Sequence, residues 1–258
     1  MQDVIGKIKE IQSGQVGVIV YSTKYENIIA SYNNELYVPL ASAAKVAIGF
    51  AIAKMVNDKQ INWNDTLHHI KFNPNEDSAQ LYPHLKGRAT LTLSKAVEVM
   101  IACHDSYIAH SVVMHCGGWD TVKEYVSTNF SKIHIQENPR DEKNIGELKQ
   151  VLSLLLHIFQ GYKSAPELWE PIISGMVMQQ GEYEGIPYYH LAHMTGGLPT
   201  ATINIGIIGM FHESPFLYVI GGRDLPNRSD NKQIDEIVIE SLRYVYKEYS
   251  RSILGVRD

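Results

Sequence analysis

The stretch YVPLASAAKVAIGFAIAKMV (residues 37–56) places Ser42 and Lys45 one helical turn apart at the start of a small-residue, apolar helix. An ammonium surrounded by Ala, Val and Ile is costly to keep from water unless it is paired or neutralised. Serine is a weak nucleophile until a base takes its proton, and a lysine at i+3 lies on the same helix face. A helix N-terminus favours developing negative charge, which an acyl-transfer oxyanion requires. Burial also lowers a lysine's pKa toward the range a base needs. On its own, Ser-x-x-Lys is frequent by chance, and an N-cap serine beside a snorkelling lysine accounts for the same four residues. The rest of the chain has to decide between the two.

Its bulk properties narrow the classes. A chain of 258 residues fits one large domain or two closely packed lobes and can bury a sizeable core. Apolar residues make up 45% and charged residues 20%, an ordinary globular balance. A net charge of -5 and a pI near 6.1 give no electrostatic footprint for nucleic acid. No run approaches the ~18 apolar residues of a membrane span, and MQDVIGKIKEIQSG has no signal-peptide core. As written, the chain reads as cytoplasmic, or as an export product whose leader has been removed. Cys103 and Cys116, if they flank one helix, stand on the order of 20 Å apart and cannot bridge. Two reduced, buried thiols are the expectation.

Hydrophobic periodicity predicts strands over 15–23 and 27–34 around a polar turn, then a helix from about Ser42 to Asn57. Residues 58–90 read as loops with short helical pieces. Helical spacing resumes over 92–106 and continues to Gly117-Gly118. Further helices are predicted over 118–130, over 144–161 with Gly161 just past the end, and over 165–181. Three strands follow at 189–198, 200–212 and 215–224, and a helix over 230–253 closes the chain. Strands at both ends around a helical middle suit one antiparallel sheet built from both termini, of α/β (α+β) class. The approximate lobes are 1–40 plus 180–258, and 41–179, within a single unit spanning 1–258.

Four segments carry a family resemblance. PLASAAKVAI (39–48) closely resembles the active-site helix of class A β-lactamases and related penicillin-recognising serine enzymes. TLTLSKAVEVMIACHDSYIAHSVVMHCGG (90–118) resembles the stretch carrying their Ser-Asp-Asn motif, with His104-Asp105-Ser106 in its place. AHMTGGL (192–198) resembles the Lys-Thr-Gly strand, and TINIGIIGMFHESPFLYVIGGRD (202–224) the two strands after it. The resemblance covers most of the chain and implies the β-lactamase/penicillin-binding transpeptidase-like fold. It further implies Ser42 as acyl-accepting nucleophile, Lys45 as its base, and the N–H groups of Ser42 and Gly197 as oxyanion hole. Thr195 and Gly196 would line the substrate site, and Asp105 would hold a turn. A small-molecule substrate is implied, and no cofactor.

The departures bear on the substrate. His104 replaces the serine that protonates the leaving nitrogen, and an imidazole either takes over that role or only bonds nearby backbone. Ser106 replaces a substrate-binding asparagine. Met194 replaces the cation that draws the substrate carboxylate, a task a thioether cannot perform. His193 should point to the opposite sheet face, and Arg223, at a strand end, is the candidate substitute. The loop between Gly118 and RDEKN is shorter than in the family and lacks its glutamate motif, leaving Glu137 as candidate deacylation base by analogy.

Two other readings stay open. One is a protein that keeps the fold and binds or senses β-lactam or peptidoglycan fragments, acylating without turnover. The other is a different Ser-x-x-Lys hydrolase, such as a glutaminase, peptidase or esterase. The eleven histidines fit no metal-ligand spacing, so no metal site is expected, and the oligomeric state is left undetermined.

Overall fold

A computed structural model describes residues 1–179, 181 and 183–254. Gln180, in the predicted helical stretch 165–181, and residues 255–258 of the predicted unit lie outside the described residues. The chain opens with α1 (Gln2–Ile8), β1 (Gln15–Ser22), β2 (Asn27–Tyr32) and β3 (Tyr37–Pro39). One turn of 3₁₀ helix, Ala41–Ala43, then leads into α2 (Ala44–Asn57). The middle holds β4 (Thr66–His68), α3 (Ser78–Leu81), β5 (Thr90–Thr92), α4 (Leu93–Ala102), α5 (Ser106–His115) and α6 (Trp119–Asn129). After it come β6 (Ile133–His134), β7 (Ile145–Glu147), α7 (Leu148–Ser164) and α8 (Pro166–Val177). The chain finishes with β8 (Leu191–Leu198), β9 (Ala201–Ile208), β10 (Phe216–Arg223) and α9 (Gln233–Leu254).

Both termini build one antiparallel sheet of order β2-β1-β10-β9-β8. β1 runs against β10 from Gln15↔Arg223 to Ser22↔Phe216, and β8 turns into β9 through Pro199-Thr200. Alternation along β1 assigns the two faces. Val18 and Val20 join Tyr218, Ile220, Leu242 and Val245 in a core under α1 and α9. Ile19 joins Val219, Ile203 and Ile205 in the larger core against the helical lobe. Every residue of β9 is buried, as a strand covered on both faces requires.

In that lobe α2 is buried along almost its whole length, and its many alanines let neighbouring helices approach. The strand β3 belongs to a small sheet, β3-β7-β6, that feeds the chain directly into the Ser42 turn.

Periodicity assigns no element to the N-terminal segment, and two sequence expectations need correction. The N-terminal segment is a helix: α1 buries Val4 and Ile8 against the sheet, a 3.6-residue pattern too short to stand out. Gly161 lies inside α7, which runs on to Ser164. A Cβ there would stand 2.4 Å from the Trp169 indole nitrogen, so this glycine serves helix packing and no cap. The segment 92–116 is two helices, because the chain turns through Cys103–Asp105 between α4 and α5. Both cysteines are free and buried, and burial pushes each thiol up to about 12.

Candidate active site

The Ser42 turn is fixed from outside itself. The Leu40 N–H donates to the Asn144 carbonyl at 2.8 Å, and Ala41 takes a left-handed φ of 46°. Asn144 is fully buried, and its Nδ2 donates to the carbonyls of Ala41 (3.1 Å) and Pro139 (3.0 Å). Its Oδ1 has no partner among the described residues. From the other side, the edge strand β8 presses on the turn at Gly196. A Cβ at that position would stand 2.2 Å from the Leu40 carbonyl oxygen, so only glycine allows this approach.

Lys45 reaches back over this turn, with Nζ 3.4 Å from Ser42 Oγ. The side chain is 4% exposed, and no carboxylate lies within 4 Å of it among the described residues. Burial therefore lowers its pKa to about 8, offset in part by the negative charges of Glu76 and then Asp105. Glu76, a half-buried carboxyl, is itself raised by desolvation, while the Lys45 charge pulls the other way. A cavity of about 450 Å³ opens beside Lys45, lined among others by Ser106, Tyr107, His110, Gln136 and Glu137.

Asp105 is fully buried and accepts four hydrogen bonds: from Tyr107 N and Ile108 N (both 3.0 Å), Asn73 N (3.1 Å) and Ser78 Oγ (2.6 Å). It caps α5 and pins the 73–78 segment. Ser106 Oγ accepts from the carboxamide of Asn73 at 2.9 Å, so a carboxamide stands beside the short serine, supplied by a distant segment.

His104 occupies a left-handed φ of 56° and bonds Gln179 through Nε2. Gln179 Oε1 accepts the Thr195 N–H at 3.1 Å, which fixes its Nε2 as the atom facing the imidazole. An amide nitrogen only donates, so His104 Nε2 accepts and the ring proton sits on Nδ1. Burial, and then the Lys45 charge, holds the imidazole near pKa 4, hence neutral at pH 7.

Along β8, Met194 is fully buried in the larger core and His193 turns to the opposite face, against the Tyr183 ring. Neither His193 nitrogen has a partner among the described residues, and burial, then His104, lowers its pKa to about 4. Thr195 and Gly197 stand at the strand edge, and a Cβ on Gly197 would meet the Arg228 guanidinium.

Arg223 points elsewhere. It bonds Gln15 Oε1 on β1, on the side of β10 away from β8, so the cation offered by sequence does not reach this edge. Arg228 does reach it, bonding the Leu198 and Ala201 carbonyls and Asp235. Glu137 lines the Lys45 cavity but is 64% exposed, 3.3 Å from His110 Nδ1. Asn73, Asn144, Gln179 and Arg228 were not legible in sequence, because each acts from a loop or segment end with no fixed spacing to Ser42. Among the described residues no group of His, Cys, Asp and Glu is arranged to hold a metal ion.

The Ser42 turn, the His104–Ser106 segment and the edge strand β8 thus converge on one cleft. The model of the beta-lactamase enzyme family matches residues 1–244, and the chain belongs to that family. Among solved structures, a PBP-A mutant in acyl-enzyme complex with penicillin G is similar, at 16% identity and TM-score 0.78, covering 97% of this chain and 96% of that one. A beta lactamase from Xanthomonas campestris pv. campestris gives 15% identity and TM-score 0.75, covering 94% and 97%. The last common ancestor of Gram-negative bacteria class A beta-lactamase gives 16% and 0.76, covering 96% and 98%. At these identities the likeness shows the fold. A comparison with curated proteins gives no match.

Proposed function

We propose that the chain is a serine hydrolase of β-lactamase type that forms an acyl-enzyme on Ser42, acting on a β-lactam or another amide or ester. The observation that carries this reading is the 3.4 Å approach of a buried, carboxylate-free Lys45 amine to Ser42 Oγ. With a pKa of about 8, a usable fraction of Lys45 is neutral near pH 7 and can take the hydroxyl proton. Oγ then attacks the carbonyl carbon, and the N–H groups of Ser42 and Gly197 receive the oxyanion. His104 Nε2 already accepts from Gln179, so the neutral ring has no free nitrogen to take up a proton while Nδ1 gives one to a leaving nitrogen. The Lys45 ammonium formed in the first step therefore returns the proton. In this reading Ser106 lines the Lys45 cavity, Thr195 faces the substrate from the edge strand beside the buried Gly196, and Asn73 offers the carboxamide that the second motif lacks.

Release of the acyl group needs an activated water, and Glu137 is the carboxylate lining the Lys45 cavity. Its exposure and its His110 partner favour a second reading, in which acylation outruns deacylation and the protein holds its ligand.

The test is incubation with a fluorescent penicillin and a chromogenic ester, followed by intact mass. Turnover that disappears in Ser42→Ala supports the hydrolase, and a persistent adduct absent from Ser42→Ala supports the stalled form. Turnover unchanged in Ser42→Ala points to chemistry elsewhere, and neither adduct nor turnover sinks both readings.

A further inference from the structure

A second cavity of about 480 Å³ lies beside the one that holds Lys45, and Lys71 and Tyr107 line both. Its floor is apolar, formed by Ile70 and Tyr82, both buried, with Phe72 alongside. The Ile70 N–H donates to the Ala89 carbonyl at 3.0 Å, an extension of the contact beyond the β4–β5 pairing that is one residue out of its register, past the left-handed His69. That extension sets the segment after Ile70 against the segment before Ala89. Three exposed cations, Lys71, Lys86 and Arg88, thus share the rim. No carboxylate lies within 4 Å of any of them among the described residues, in a chain whose net charge is -5. Three like charges over an apolar floor repel one another and are relieved by an anion.

We propose that this groove receives the anionic end of the acyl group transferred to Ser42: an apolar or aromatic body on Ile70 and Tyr82, ending in a carboxylate that faces Lys86 and Arg88. The inference rests on the acyl-enzyme reading. An acyl group stays on Ser42 after its leaving group has gone, so it needs space continuous with the Lys45 cavity. The shared Lys71–Tyr107 wall provides that continuity. The substrate class is then an amide, lactam or ester whose acyl side arm carries a carboxylate a few bonds beyond an apolar segment.

Two p-nitrophenyl esters with one leaving group test this, carrying 4-phenylbutanoyl and 4-(4-carboxyphenyl)butanoyl. Wild-type kcat/KM should favour the carboxylated ester by roughly tenfold, the scale of one or two partly exposed charge pairs. The ratio should fall toward one in the Lys86→Gln/Arg88→Gln double variant and at high salt, and persist in Lys149→Gln, an exposed α7 control. A wild-type ratio near one, or a ratio that survives in the double variant, overturns the proposal.

If neither ester acylates Ser42, it is the acyl-enzyme reading that has failed. The groove is then judged by calorimetric binding of 4-(4-carboxyphenyl)butanoate to Ser42→Ala. Binding weakened severalfold by the added double substitution supports the site, and absent or unweakened binding overturns it.

Discussion

The residue that organises the cleft from behind is Asn144, whose carboxamide ties the Ala41 carbonyl to the Pro139 carbonyl. Asn144→Ala takes the side-chain donor from the half-buried Pro139 carbonyl and leaves the left-handed Ala41, whose carbonyl keeps only the Ala44 N–H, without its tether. The expected loss is about 1–3 kcal/mol of stability, together with slower acylation of Ser42, read by thermal melting and chromophore release. A variant as fast and as stable as wild type would remove Asn144 from the account. Gln179 acts differently, setting the His104 tautomer while holding the Thr195 N–H. Gln179→Leu should release the ring proton from Nδ1 alone. In an NMR spectrum of labelled imidazoles, the expected outcome is a mixture of tautomers where wild type shows one.

At the scale of elements, the decisive contact is between the edge of β8 and the 3₁₀ turn ahead of α2. Gly196→Ala drives a methyl into the Leu40 carbonyl, so strand and turn must separate. Because β8 stays paired to β9 along its length, the fold should survive while acylation falls by about a hundredfold or more. Full activity in that variant would show that the contact does not set the oxyanion geometry. The five-strand sheet, the burial of α2 and the closing helix α9 were legible because period-2 and period-3.6 patterns are written along the chain itself. The short strands β3, β6 and β7 were not, since two or three residues carry no period. They matter nonetheless, because they deliver Ser42. Among the candidate site residues, the approach of Lys45 to Ser42 was legible from their i, i+3 spacing, while the role proposed for them rests on the family resemblance of the surrounding segments. Arg223 was misplaced because a strand-end position does not say toward which neighbour a side chain leans.

Across the whole molecule, buried neutral histidines couple stability to pH. His193 ionises near pH 4 when folded against its ordinary 6.5, so the unfolded chain takes up the proton first as pH falls. Stability should therefore decline from about pH 6.5 to 4 and lose no more from this group below that. The contribution is on the order of 3 kcal/mol. His193→Phe, which removes an unpartnered buried imidazole, should flatten that part of the melting-temperature profile, and an unchanged slope would contradict the assignment. Lys45 carries the opposite emphasis, since its lowered pKa is what the proposed chemistry requires. The most direct test of the central claim is the rate of Ser42 acylation by a chromogenic ester, followed by burst release from pH 6 to 10. The account predicts a single rising limb with its midpoint near 8, lost in Lys45→Gln. A rate flat across that range, or a limb that persists without the lysine, would show that Lys45 is not the base.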